Sequence, residues 1–237
     1  MFDVAFLGKT FLLLWKAVPT TLIITLVSLA AGAFLGFFIA LARVHKTHLL
    51  HGVCAFYVSF VRGTPVVLQI LVVYSIFPSF LNAVFKKTGS SINIFELNPI
   101  IYAFVVFSLN TAATLSEVFR SALLTINRGQ LEAGYTSGLT TRQVYRRILI
   151  PQALVAALPN ICNATVALIK NTSLAFMMTV KDVTAVAKIE ASYGYNYLEA
   201  YLDIFVIYVI ICSVVQAGLK KWEARASVFK TGRISHA

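Results

Sequence analysis

A chain of 237 residues that is 59% hydrophobic and only 12% charged, with a mean hydropathy of +0.81, is not a soluble domain, in which about 25% of residues carry charge. Its net charge of +11 does not point to nucleic acid. The basic residues sit at the ends of apolar runs, a placement that orients membrane segments, and not in one stripe interleaved with aromatics. Cys54, Cys162 and Cys212 stand in separate apolar regions without metal-ligand spacing and read as small packing residues. The expectation is an all-α integral membrane protein, one domain over residues 1–237, with roughly five spans.

In chain order, residues 1–16 (MFDVAFLGKTFLLLWK) are apolar but interrupted by Asp3, Lys9 and Lys16, the pattern of a helix lying in the interface. Asp3 ahead of any lysine, and the long apolar run that follows, argue against a cleaved signal peptide. Val18–Ala42 is uncharged and long enough to span with some tilt; Pro19 is tolerated in its first turn. Gly32 and Gly36 form a GxxxG spacing, which is common in apolar helices and carries no specific expectation. The basic turn RVHKTHLLH, Arg43–His51, carries a cytoplasmic signature. Its histidines 45, 48 and 51 lack a carboxylate or cysteine companion, which favours a surface loop over a metal site.

The second apolar region, Gly52–Phe85, contains FVRGTPVVLQ from Phe60 to Gln69. Arg62 beside Gly63 and Pro65 leaves two readings open. It snorkels to the interface, or it marks a broken helix in which Arg62 pins backbone carbonyls or a neighbouring helix. Lys86–Pro99 is a polar loop on the far side. Leu97–Ser116 is the third uncharged run and continues into Glu117–Gly129, where Glu117 and Arg120 are spaced to pair on one helical face. Ile148–Ile169 is the fourth run, followed by Lys170, Asn171 and two hydroxyls in IKNTSLAFMM. Lys181–Asp203 reads as an outer loop or interfacial segment with tyrosines at headgroup level. Ile204–Leu219 is the last span, and residues 220–237 form a basic tail. With the N-terminus outside and the C-terminus cytoplasmic, eleven lysines and arginines fall on the cytoplasmic side and six on the other.

The organising stretch is Gly129–Asn160, a charged, helix-compatible island between two apolar runs. EAGYTSG, followed after nine residues by ILIP, resembles the EAA loop of bacterial ABC importer permeases, EAA-x3-G-x9-I-x-L-P. Glu132, Ala133, Gly138, Ile148 and Pro151 match; Gly134 replaces the second alanine and Ile150 the leucine. FVRGTPVVLQ, SEVFRSALLTINRGQ and PNICNATVALIKNTSLA are similar, in order and spacing, to motifs of the polar amino acid subfamily.

The resemblance implies a type I ABC importer permease in a bacterial cytoplasmic (inner) membrane. It would pair with a second permease subunit, rest on a dimer of ATP-binding cassette ATPases and receive its amino acid from an extracytoplasmic binding protein. In such permeases the EAA loop, about residues 126–148 here, forms a coupling helix docked on the ATPase. Glu132–Leu139 is expected to make two helical turns presenting Glu132, Ala133 and Thr136, with Gly138 ending the helix ahead of Leu139. The chain has no G-x4-GK[ST] phosphate loop, nucleophile–base pair or metal cluster, so it is not expected to be an enzyme or to bind a cofactor. ATP and Mg belong to the ATPase. The positions that hold amino acid in the subfamily match Asn110, Glu117, Lys170 and Asn171; Glu117 suits an ammonium, Lys170 or Ser173 a carboxylate. Arg62, Gly63, Pro65 and Arg120 are expected in structural or gating roles. Asn171, where aspartate is frequent in the family, favours a neutral or zwitterionic polar amino acid over a cationic one, with cystine as the named candidate. A competing reading is an ATPase-independent secondary transporter or channel that uses Glu117, Arg120 and Lys170 as an ion relay. The lack of an internal repeat speaks against it.

Overall fold

Helices α1 (Val4–Trp15), α2 (Val18–Val44), α3 (His48–Gly63), α4 (Val66–Lys87), α5 (Ile100–Leu124), α6 (Arg128–Thr136), α7 (Thr141–Val144), α8 (Ile150–Thr172), α9 (Val183–Gly194) and α10 (Tyr197–Thr231) follow one another in a computed structural model. It describes residues 3–88 and 94–231, and among these there is no strand. A π-helical turn, Tyr145–Leu149, joins α7 to α8, and short 3-10 turns cover Ile94–Glu96 and Ala175–Met178. Residues 89–93 of the far-side loop, residues 232–237 of the basic tail and the side chain of His48 lie outside the described part.

Among the described residues, five helical stretches are long and apolar enough to cross a membrane: Val4–Val44, Val66–Lys87, Ile100–Leu124, Thr141–Thr172 and Tyr197–Ala226. Within the first, α1 and α2 are separate helices. The Asp3 carboxylate caps α1 by accepting from the Phe6 N–H at 2.9 Å, and the Asp3 N–H donates to Glu199 at 2.8 Å. Those two bonds tie the start of α1 to the start of α10. Thr10 and Leu14 are buried in the same packing, while Val4 and Leu12 face outward.

The centre of the molecule is the pairing of α2 with α5, the most extensive between any two helices. Its closeness rests on the GxxxG that carried no expectation. A Cβ added at Gly32 would lie 2.7 Å from the Thr111 side chain, and one at Gly36 would lie 2.8 Å from the Ala112 carbonyl oxygen. Only glycine lets the two backbones approach so far. The spacing is therefore specific, and the sequence alone did not show it because the partner surface lies some eighty residues away.

Two further features have local causes. The second apolar region is broken, as one of its two readings had it. Pro65 excludes α conformation at the residue before it, Thr64 is extended (φ −114°, ψ 142°), and α3 and α4 are separate rods. The segment read as an outer loop or interfacial segment over Lys181–Asp203 contains α9. Asp182 caps it by accepting from the Ala185 N–H at 2.8 Å. Val183, Ala187 and Ala191 are buried in the cluster that also holds Ile207 and Ile211 of α10 and Leu14 of α1. Their period of four is helical, but with small alanines it carries little apolar weight in the sequence.

Candidate functional site

Pro65 has no N–H to give to the carbonyl of Val61, four residues back. Buried in a lipid-facing protein, such a carbonyl needs another donor. Gln69 supplies it. Its side-chain amide donates to Val61 O at 2.7 Å, to Thr64 O at 3.1 Å and to Thr64 Oγ1 at 2.8 Å. The Gln69 Oε1 then accepts from the Asn110 amide at 3.1 Å, so the break is fastened to α5. One residue before Asn110, the Leu109 carbonyl accepts from the Tyr57 hydroxyl of α3 at 2.6 Å. Asn110, expected at a substrate, is thus part of the clasp that closes the broken helix. Gln69 was not singled out from the sequence, although a glutamine four residues after a proline in an apolar run is the signal for it.

Two turns further along the same face of α5, Glu117 collects three arginines. Arg43 of α2 donates to Glu117 Oε1, Arg120 donates to Oε2 at 2.9 Å, and Arg62 at the end of α3 stands 4.0 Å from Oε1. The expected pairing of Glu117 with Arg120 is present. Arg62 reaches a neighbouring helix, and its side chain stays 52% exposed where that of Arg43 is 14% exposed. Arg43, read from the sequence as an orienting charge in a turn, is also a partly buried ion-pair partner. Three guanidinium groups against one carboxylate also make this a positively charged spot in the bundle.

Lys170 lies in the last turn of α8, which ends at Thr172 where Ser173 and Leu174 turn into the 3-10 segment. With Ser173 it lines a cleft of about 470 Å³ between α8 and α10, whose other wall includes Tyr208, Cys212, Ser213 and Gln216. Asn171, Asn110 and Glu117 do not line this cleft. Four of the five residues expected at a substrate are therefore distributed over three places, Asn110 in the clasp, Glu117 in the arginine cluster and Lys170 with Ser173 in the cleft, and Asn171 belongs to none of them.

The polar island folds into a short hairpin. Asn127 caps α6 by accepting from the Gly129 N–H at 2.8 Å, so the helix starts four residues before the expected Glu132 and ends at Thr136. Gly138 has φ +78°, a conformation that penalises any side chain. It lets the Leu139 N–H return to Gly134 O at 3.1 Å and its own N–H to Tyr135 O at 3.0 Å. This paired closure satisfies the last carbonyls of the helix. Thr140 and Gln143 then cap α7 reciprocally. The glycine in place of the second alanine faces inward: a Cβ at Gly134 would meet Ile148 at 2.9 Å and Val144 at 3.1 Å. Glu132, Ala133, Thr136 and Gly138 face outward, with Leu139 half-buried behind them. Gln152 of α8 donates to Gln130 of α6 at 2.7 Å, and His45 at the end of α2 stacks on Tyr145 at 5.4 Å. The hairpin is held to the bundle on two sides.

Among the described residues, no group of three or more His, Cys, Asp or Glu side chains converges as a metal site would require. Residues 32–226 match the family described as "Binding-protein-dependent transport system inner membrane component". The chain is 32% identical over 207 residues to the L-cystine transport system permease protein TcyL of Bacillus subtilis (strain 168), covering 87% of this chain and 84% of the relative. It is 37% identical over 199 residues to the probable amino-acid ABC transporter permease protein YckA of the same organism, covering 84% and 82%. A solved structure described as "Crystal structure of an amino acid ABC transporter with histidines" superposes with a TM-score of 0.80 at 25% identity, over 95% of this chain and 99% of that one.

Proposed function

This chain belongs to the family of binding-protein-dependent transport system inner membrane components, and from that premise we propose that it carries a polar, neutral or zwitterionic amino acid through the bacterial inner membrane, driven by a partner's ATP hydrolysis. The coarser statement needs no proposal: it is an integral membrane permease subunit of an amino-acid ABC transporter, with the type I importer fold, and it is not an enzyme. ATP and Mg are held by the ATPase pair. An extracytoplasmic binding protein delivers the substrate, and a second permease subunit completes the path. The N-terminus lies outside and the C-terminus in the cytoplasm, with α1 at the outer interface and the tail from residue 220 on the ATPase side.

The observation that carries this reading is the α6–α7 hairpin. Glu132, Ala133 and Thr136 form an outward face on a helix closed at both ends, behind which Thr141–Thr172 runs as one helical stretch to Lys170. A rigid element passes on a rigid-body motion better than a loop does. On the substrate side, Lys170 and Ser173 suit a carboxylate in their cleft. Glu117 meets an ammonium only by exchanging one of its arginines, which disfavours a substrate with a net positive charge. The cystine relative gives one concrete candidate with two carboxylates.

Co-purification with the ATPase tests the hairpin. Glu132→Arg with Gly138→Asp should abolish association while the permease still inserts, and normal binding by that variant sinks the docking assignment. Uptake of labelled amino acids by the reconstituted complex tests the cleft. Lys170→Met should reduce uptake at least tenfold, about 1.4 kcal/mol of transition-state stabilisation, without lowering ATPase association. Unchanged uptake removes Lys170 from the site. The ion-relay alternative draws no support from the geometry, since Lys170 lines the α8–α10 cleft while Glu117 and Arg120 are bound to each other elsewhere.

A further inference from the structure

A buried polar node lies where α2, the end of α8, α9 and α10 meet, behind Tyr208, which also lines the α8–α10 cleft. Asp182 is fully buried. One carboxylate oxygen caps α9; the other, Oδ2, is buried without a hydrogen-bond partner. The same holds for Thr21 Oγ1, Thr184 Oγ1 and the Tyr208 hydroxyl. These are not scattered defects. The Tyr208 hydroxyl is the common neighbour of Thr21, Thr172, Thr184 and Asp182, and Thr184 also adjoins the Asp182 carboxylate. Among the described residues no lysine or arginine pairs with Asp182. Lys188, two turns along α9, is held over the Phe176 ring at 3.8 Å, and Lys181 is exposed.

Each buried polar group left without a partner costs about 1–3 kcal/mol, and more for a charge. Several such groups gathered around the Tyr208 hydroxyl, close to it but outside hydrogen-bond geometry, ask for a ligand that serves them together. The donor set decides its chemistry: one carboxylate, neutral hydroxyl oxygens and no imidazole or thiolate. Hard oxygen ligands suit hard cations, and a single negative charge is balanced by a single positive one. We propose that Asp182, Thr184, Thr21, Thr172 and Tyr208 form a binding site for a small monovalent cation such as Na+. Bound there, the ion neutralises Asp182 and ties four helices at one end of the bundle. Burial without a counter-charge raises the free Asp182 carboxyl, and a bound cation would relieve that cost. Asp203 of α10 is the other fully buried acid near this end, and its Oδ2 is likewise unpartnered, but it is not among the neighbours of Tyr208.

The test is thermal unfolding of the intact transporter complex in nanodiscs near neutral pH, with sodium chloride exchanged for choline chloride at constant ionic strength. Sodium should raise the unfolding midpoint saturably, by about 5 °C at a concentration far above half-saturation. Asp182→Asn should lose that response, and Ser192→Ala, exposed on the same helix, should keep it. Should Asp182→Asn fail to fold, Thr184→Val retains the carboxylate and removes one oxygen, and it should raise the sodium concentration for half-effect about tenfold. If sodium and choline act alike on the wild type, the node holds water or a proton and the proposal falls. It falls equally if Asp182→Asn, or in its place Thr184→Val, responds to sodium as the wild type does.

Discussion

A glutamine side chain takes over the work of a missing backbone N–H in this protein. Pro65 leaves the Val61 carbonyl without its helical donor, and Gln69 fills the place at 2.7 Å while also serving Thr64. Gln69→Leu keeps the size and removes the donor. It should destabilise the folded subunit by about 1–3 kcal/mol, the penalty for an unsatisfied buried carbonyl. The loss would be read as a lowered unfolding midpoint in detergent, and an unchanged midpoint would mean that water reaches Val61 O. Gln69→Glu would not rescue it, since a carboxylate cannot donate to a carbonyl. At this scale the sequence is partly legible. The break at Pro65 follows from the residue itself, and Gln69 follows by counting, four residues after Pro65 and eight after the stranded Val61 carbonyl. Arg43 does not follow. At the end of an uncharged run it has the signature of an orienting charge, and only folding brings α2 beside Glu117.

At the scale of elements, close approach decides more than hydrophobicity does. Lipid offers apolar surface as readily as another helix, so association depends on fit. The face of α2 that carries Gly32, Gly36 and Ala40 is small and buried, whereas Phe34 and Phe38 lie exposed on the outer side. Gly36→Val would drive a branched side chain into the Ala112 carbonyl, 2.8 Å from where its Cβ would stand. Rigid backbone cannot yield as a flexible side chain can. The expected result is destabilisation of about 1–3 kcal/mol, or failure to accumulate in the membrane. Gly8→Val is the control, because nothing lies within 4 Å of a Cβ there. Equal yields and midpoints for the two variants would contradict the pairing of α2 with α5. The same reasoning explains what the sequence concealed. A GxxxG names a surface but not its partner, and the alanines of α9 pack against α10 without forming an apolar run.

For the whole molecule, the proposed function asks how a contact on the α6–α7 hairpin would be transmitted to a cleft at the far end of α8. The stretch Thr141–Thr172 is unbroken as helix but not uniform. Its first part widens into a π turn over Tyr145–Leu149, directly ahead of Pro151. Pro151 cannot donate to Arg147, four residues back, so the normal ladder is interrupted at that turn. The widened turn also holds Tyr145, on which His45 of α2 stacks. The π turn therefore sets the rotation of the hairpin relative to the bundle. Pro151→Ala restores the missing N–H and allows the turn to tighten into α-helix, which would rotate Glu132, Ala133 and Thr136 with respect to Lys170. The protein should still fold, insert and bind the ATPase, since no core contact is removed. Amino acid transported per ATP hydrolysed should fall several-fold in the reconstituted complex. Such a fall with intact association assigns the π turn to coupling, and an unchanged ratio would show that hairpin and cleft tolerate a change in rotation and are not mechanically linked through α8.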